Sequence, residues 1–237
     1  MKSAGNHLVP ALIAATLIGV AGVVVILWIK AENCRRAPLP QFSHIGGFQL
    51  IERSGRVVSD ADIAGKIIVA DFFFGSCSAE CLVVSRRMSE VQRLTAGMAD
   101  VMLVSITVDP KSDTPEALTR YATRLNASTN RWLFLTGEKT NIYPLVQGGF
   151  LLSAGEPDTT VNTGFIHSSK IALVDRHGVV RGYYDGLASL APGWILRDIQ
   201  KLRAEPQPAT KQKSSQPFLS GNLAASLPQT LGFKSAP

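Results

Sequence analysis

Cys77 and Cys81, in the segment IIVADFFFGSCSAECLVV, are the residues of this chain best suited to chemistry. They stand where an apolar run hands over to a helix-period pattern. Unpaired backbone N–H groups and the helix dipole at such a junction favour thiolate over thiol. A thiolate pair can cycle with a disulfide or hold a soft metal ion, and the two cysteines alone leave both chemistries open.

Both thiols depend on the elements that carry them. Ile67–Phe74, rich in Val, Ile and Phe, reads as a buried strand ending at Gly75-Ser76. On the helix predicted over Ala79–Thr95, Val84, Met88 and Val91 share one face, and Cys81 lies on the same side, one turn earlier. Strand Val101–Val108, helix Thr114–Leu125, a short strand at Trp132–Leu135 and a helix near Lys139–Val146 follow. Thr114 is placed to cap its helix, with Pro115 at the first position. Strands Lys170–Val174 and Val179–Tyr184 and helix Ala191–Arg203 complete the series, and a small hairpin within Gly46–Val58 turns at Ser54-Gly55. Gln147–Asn162 reads as a long loop near the site. A βαβ opening with a final hairpin and terminal helix is the thioredoxin order: an α/β fold with a central mixed sheet flanked by helices.

Leu8–Ile29 carries no charge, and at ~1.5 Å per residue it reaches across a bilayer core of about 30 Å. It reads as an uncleaved transmembrane anchor. The 237 residues then divide into a short segment at 1–7, the anchor at 8–29, a linker at 30–44, one domain at 45–203 and a flexible Pro-, Gln-, Ser- and Ala-rich tail at 204–237. The net charge of +6 is scattered rather than gathered with aromatics into a stripe, which argues against a nucleic-acid partner. Cys34 stands alone beside the anchor, with no lipobox in Ala31-Glu32-Asn33 before it. Lys30, Arg35 and Arg36 follow the span while only Lys2 precedes it, so the positive-inside rule alone would put the domain in the cytoplasm. Thiol chemistry argues the other way, for an external domain where a dithiol can cycle with its disulfide.

Two further motifs accompany the cysteines. Asp109-Pro110-Lys111-Ser112-Asp113-Thr114-Pro115 follows the second core strand, at the sheet edge of the cysteine loop, and His167 precedes a strand that ends in Asp175-Arg176-His177-Gly178. With C-x3-C, D-P-x-x-D-T-P and the His-Ser pair eight residues before Asp175, the chain resembles the Sco/SenC family of copper-handling, thioredoxin-like proteins over roughly Phe42–Arg203. Ser78 and Leu82 replace the prolines that the family carries after each cysteine. Asp71 sits six residues before Cys77, the spacing at which ordinary thioredoxins carry an aspartate that assists proton transfer. An edge carboxylate bonded to water or a nearby lysine is the competing reading.

Thiolate sulfur suits Cu(I), and imidazole suits Cu(I) and Cu(II). Cys77, Cys81 and His167 would make a three-ligand copper site with room for handover, whereas a closed zinc site would want a fourth strong ligand. Asp109 either orients that site from behind its ligands or serves a turn or helix cap. His7, His44 and His177 have no comparable setting. The resemblance implies copper delivery to the binuclear centre of cytochrome c oxidase subunit II, or to another copper or thiol client, from a bacterial inner membrane with the domain in the periplasm; a mitochondrial inner membrane is the alternative. The competing function is a thiol-disulfide oxidoreductase that keeps partner cysteines reduced, with Cys77 attacking, Cys81 resolving and Asp71 accepting a proton; a redox or copper sensor is a third. Ordinary enzymes of that kind carry C-x2-C and a proline before the facing strand, and here no proline occurs between Val161 and Ala191. Copper transfer needs no covalent turnover, so enzyme status hangs on the oxidoreductase reading.

Overall fold

The computed structural model describes residues 8–76, 80–152 and 169–206. Helix α1 (Leu8–Arg36) leads to the hairpin β1 (Gln49–Glu52) and β2 (Val57–Ser59), the four-residue α2 (Asp60–Ile63) and β3 (Ile67–Phe73). Then come α3 (Glu80–Leu94), β4 (Val101–Thr107), α4 (Pro115–Arg124), β5 (Trp132–Thr136) and α5 (Lys139–Pro144). A π-helical turn over Leu145–Gly149 follows, and β6 (Lys170–Val174), β7 (Val180–Asp185) and α6 (Ala191–Ala204) close the fold.

The strands form one mixed sheet in the order β2-β1-β5-β4-β3-β6-β7. The central β3, β4 and β5 run parallel; β6 lies antiparallel to β3, and β1 antiparallel to β5. Every residue of β3 and β5 is buried, as continuous apolar strands covered on both faces must be. Alternation along β3 divides two cores. Ile68, Ala70 and Phe72 pack with Ile45, Phe48, Ile142, Val146 and Phe150 on one face. Ile67, Val69 and Phe73 face the other, with Cys81, Val84, Met88 and Val91 of α3 and Ile195 and Ile199 of α6. Helix α3 is therefore laid on the sheet by the same apolar stripe that carries Cys81.

The sequence pattern differs from the fold in α1, after α5 and at α2. Helix α1 continues beyond Ile29 to Arg36, because Lys30-Ala31-Glu32 suits a helix and nothing breaks it before Pro38. Its stretch Pro10–Lys30 is long and apolar enough to cross a membrane. Gln147–Gly149 is not loop: Phe150 N–H reaches Leu145 O at 2.9 Å and drives its ring edge-on against Phe72, with centroids 4.9 Å apart. The rest of that expected loop, 153–162, lies outside the described residues. The brief α2 has a sequence signal that the pattern overlooks, Ser59 three residues before Asp62, whose carboxylate takes the Ser59 N–H at 2.8 Å and hydroxyl at 2.9 Å.

Residues 39–44, read as linker, pack on the end of the sheet where β3 begins. Phe42 N–H donates to Val180 O at 3.0 Å, and Val180 N–H to Ser43 O at 2.8 Å. Arg181, 4 % exposed, binds the carbonyls of Leu39 and Pro40 and the carboxylates of Asp175 and Glu205, all at 2.8–2.9 Å. The chain entering from α1 is thus tied to the edge of the sheet opposite the cysteine loop.

Candidate metal centre

In parallel sheets the carboxyl ends of the strands make the working edge, because helix N-termini and loops converge there. Here β3 ends at Phe73 and β4 at Thr107, directly paired, and Val108 N–H extends the pairing to Phe73 O at 2.8 Å. Cys81 lies in the first turn of α3, 3 % exposed, with Val84 and Met88 beneath it in the core. The helix spacing places it there: positions 81, 84, 88 and 91 recur on one face. Cys77 and His167, the two other expected ligands, lie outside the described residues. Their flanks are described. Ser76 ends an exposed turn one residue before Cys77. Ser169, two residues after His167, enters β6 beside α3: its carbonyl accepts Gly186 N–H at 2.9 Å, and a Cβ on Gly186 would meet that oxygen at 2.6 Å and Val84 Cγ2 at 2.9 Å. Ser169 thus lies beside α3 at Val84, and the turn at Gly75-Ser76 stands four residues before α3 begins.

Asp71 is 1 % exposed in the middle of the sheet, with β4 and β6 on either side, so the edge-carboxylate reading does not hold. By alternation its side chain shares a face with Val69 and Phe73, the face α3 covers. Its carboxylate accepts the Ser105 hydroxyl, and Ser105 in turn accepts Trp132 Nε1–H at 2.8 Å. Desolvation pushes the Asp71 carboxyl up to about 7, against the pull of the Ser105 hydrogen bond.

The aspartates of D-P-x-x-D-T-P have separate tasks. Asp109 closes its own turn: its carbonyl accepts Asp113 N–H at 3.0 Å, its carboxylate lies 3.4 Å from Ser112 N, and its N–H donates to Thr107 Oγ1 at 3.0 Å. This is the turn geometry that the sequence allowed for it. Asp113, unassigned from sequence, is the residue that touches the cysteine loop. Its carboxylate accepts Gly75 N–H, with Oδ2 at 2.9 Å and Oδ1 at 3.2 Å, and takes the Thr107 hydroxyl. Burial pushes the Asp113 carboxyl up, while the Thr107 and Gly75 hydrogen bonds hold it down. The legible signal was spacing alone, a second carboxylate four residues on at the same edge. Thr114 caps α4 as expected, with Ala117 N–H 3.4 Å from its Oγ1.

An open groove of about 650 Å³ runs from Gly75 and Ser76 past Asp113 to Arg120 and Arg124 on α4. A smaller cavity of about 280 Å³, with His44, Asp175 and His177 in its wall, lies at the opposite sheet edge beside residues 39–45. Among the described residues no group of three His, Cys, Asp or Glu is placed to hold a metal ion.

The model of the SCO1/SenC family matches residues 36–203. The SCO1 protein homolog of Bacillus subtilis is 27% identical, over 77% of this chain and 94% of its own. Among solved structures, BsSco, a Sco-family cytochrome c oxidase assembly protein in which a disulfide switch was identified, aligns with a TM-score of 0.62 at 26% identity, over 71% of this chain and 98% of its own. ScoI of Bradyrhizobium japonicum with copper bound aligns with a TM-score of 0.55 at 25% identity, over 67% of this chain and 98% of its own. The match spans the mixed sheet, the cysteine loop, the aspartate turn and the entry to β6 together, and the chain belongs to the SCO1/SenC family.

Proposed function

We propose that this protein is a membrane-anchored copper metallochaperone that binds one copper ion through Cys77, Cys81 and His167 and serves assembly of the copper centre of cytochrome c oxidase. The observation that carries the reading is the meeting, at one end of α3, of buried Cys81, the turn that leads to Cys77 and the strand entry that follows His167. Each residue extends the chain by at most ~3.6 Å, so Cys77 and His167 stay within reach of Cys81 from those flanks. Two thiolates and one imidazole suit Cu(I) and leave a position from which a client thiolate or imidazole can draw the ion away. The copper-bound relative supports the choice of metal.

Residues 8–29 are the anchor and 45–203 the working domain; the tail expected from 204 starts two residues later, because Ala204 ends α6 and Glu205 holds Arg181. The domain faces the periplasm of a bacterial inner membrane, or the equivalent side of a mitochondrial one. The docking of residues 39–45 at the far edge of the sheet favours a cysteine edge turned away from the anchor. A periplasm-active reporter fused after Arg203 should be active, and activity confined to a cytoplasmic reporter would reverse the topology.

A second reading is favoured by Asp71. Cys77 thiolate would attack a client disulfide, and Cys81 would then displace the client from the mixed disulfide. The client gains two electrons and leaves as two thiolates, which take their protons from water, as the Cys77–Cys81 pair becomes a disulfide and the Cys81 proton passes toward Asp71. The buried Asp71–Ser105–Trp132 chain on the α3 side of the sheet supports such a role, as does the disulfide switch of the related BsSco. Cu(I) titration and reduction of a model disulfide separate the two. Under the copper reading, His167→Ala in the detergent-solubilised full chain weakens Cu(I) binding about 100-fold or more while the cysteine disulfide still forms. Under the reductase reading, His167→Ala changes little and Asp71→Asn slows exchange. Equal copper affinity in His167→Ala and the parent would remove the histidine from the site.

A further inference from the structure

We infer that Asp113 is the positioning residue of the cysteine loop: its carboxylate clasps the Gly75 backbone two residues before Cys77 and so sets how readily Cys77 meets Cys81. Three observations on the described residues carry this. Asp113 is 4 % exposed, so its contacts are made away from competing water. Both carboxylate oxygens face Gly75 N–H, at 2.9 and 3.2 Å, although 38 positions of sequence separate the two residues. The carboxylate is braced from behind: Thr107 donates its hydroxyl to Asp113 and accepts the Asp109 N–H at 3.0 Å, which chains the aspartate turn to the end of β4. Gly75 is part of the same device, because a Cβ there would overlap the Asp113 carboxylate oxygen.

A structural turn would explain the Asp109 contacts but not this one. The Gly75 N–H is the last strand-side donor before the cysteine loop, and the sheet cannot satisfy it, since β3 ends at Phe73. Asp113 takes that donor and stops residues 75–76 from swinging. Copper chelation by two thiolates and closure of a disulfide share one requirement, Cys77 held over Cys81. Both lose affinity when the entry to the loop must be ordered at the moment of reaction. The clasp orders it beforehand, so its removal should weaken both reactions by a similar factor. We set that factor at about tenfold, the low end for residues that support metal ligands from behind.

The test uses the detergent-solubilised full chain with Asp113→Ala, Asp113→Asn, Gly75→Ala and, as a destabilised control at the far edge of the sheet, Arg176→Met. Arg176 holds Asp100 and the Leu202 carbonyl at 2.8 and 3.0 Å, at the sheet end where β3 begins. The readouts are Cu(I) affinity by competition with a chromophoric chelator and the Cys77–Cys81 reduction potential. For the second, glutathione disulfide accepts the two electrons and becomes two glutathione thiols. Asp113→Ala and Gly75→Ala should each weaken Cu(I) binding about tenfold and raise the potential by ~30 mV, the equivalent of tenfold for a two-electron couple. Asp113→Asn, which keeps an acceptor for Gly75 N–H, should restore most of both. Arg176→Met should move neither, whatever its melting temperature. Unchanged potential and affinity in folded Asp113→Ala, or equal changes in Arg176→Met, would overturn the proposal. If Asp113→Ala does not fold, Gly75→Ala decides by the same two readouts. Only the copper arm rests on the metallochaperone reading. A parent protein that binds no Cu(I) refutes that reading, and the reduction potentials still judge Asp113.

Discussion

Cys81→Ser is expected to lower Cu(I) affinity at least ~1000-fold while leaving the protein folded. Residues behind a metal's ligands are each worth about 10–100-fold, so a ligand that supplies charge and a soft donor should exceed that range. Serine keeps the volume of a side chain that is 3 % exposed among Val84 and Met88, but its hydroxyl stays protonated and is a hard donor. Burying that hydroxyl costs about 1–3 kcal/mol unless it finds an acceptor on the preceding turn, a loss that a fold with two cores tolerates. A modest fall in melting temperature together with near-complete loss of copper is therefore the expected pair of results, and Cys77→Ser should reproduce the copper loss. Each replacement also abolishes the intramolecular disulfide. Chelator competition on both variants, with Cys34→Ser as background, checks this. Copper held by Cys81→Ser as tightly as by the parent would mean that Cys34 or an oxygen ligand substitutes, and the two-thiolate site would fall.

The sequence was most readable where one physical signal dominates. Period-2 and continuous apolar runs gave β3 to β6 to within about two residues, and the stripe Cys81–Val84–Met88–Val91 oriented α3 correctly, because burial decides both. The π-helical turn after Pro144 escaped, since Gly148 and Gly149 carry a loop signature while Phe150 is held by tertiary packing against Phe72. Asp113 escaped for a related reason. Its partner Gly75 lies 38 positions away, and no local pattern distinguishes a carboxylate that caps its own turn, as Asp109 does, from one that reaches across to another loop. Asp71 shows the reverse case. A charge in the middle of an apolar strand was visible at once, but whether that strand sat at an edge or in the centre depended on the pairing of β3 with both β4 and β6.

That central position makes stability depend on pH through Asp71, and Asp71→Asn should remove the dependence. A carboxyl raised to about 7 in the folded protein, against 3.8 for the free group, stays protonated where the unfolded chain has already released its proton. The folded state then binds more protons between about pH 4 and 7, so its stability falls as pH rises through that window and levels off above it. At ~1.4 kcal/mol per pKa unit the fall is on the order of 4 kcal/mol, a large share of a typical domain's stability. Carboxylates held low, Asp100 and Asp198 among them, contribute the opposite slope only below their ordinary range, and they cancel in a difference between variant and parent. Asparagine can still accept the Ser105 hydroxyl, but its amide N–H groups need acceptors that the carboxyl did not. That adds an offset of about 1–3 kcal/mol, and the offset does not vary with pH. The slope is therefore the informative quantity. Denaturant unfolding of both proteins as dithiols, from pH 5 to pH 8, should show the stability of Asp71→Asn rising relative to the parent by about 2–3 kcal/mol across the range. Parallel curves would mean that Asp71 is ionised in the fold throughout, and the proton-acceptor role at the cysteines would lose its physical basis. If the role holds, the parent's midpoint should also differ between dithiol and disulfide forms, because a thiolate on the same face of the sheet makes a second negative charge at Asp71 harder to form.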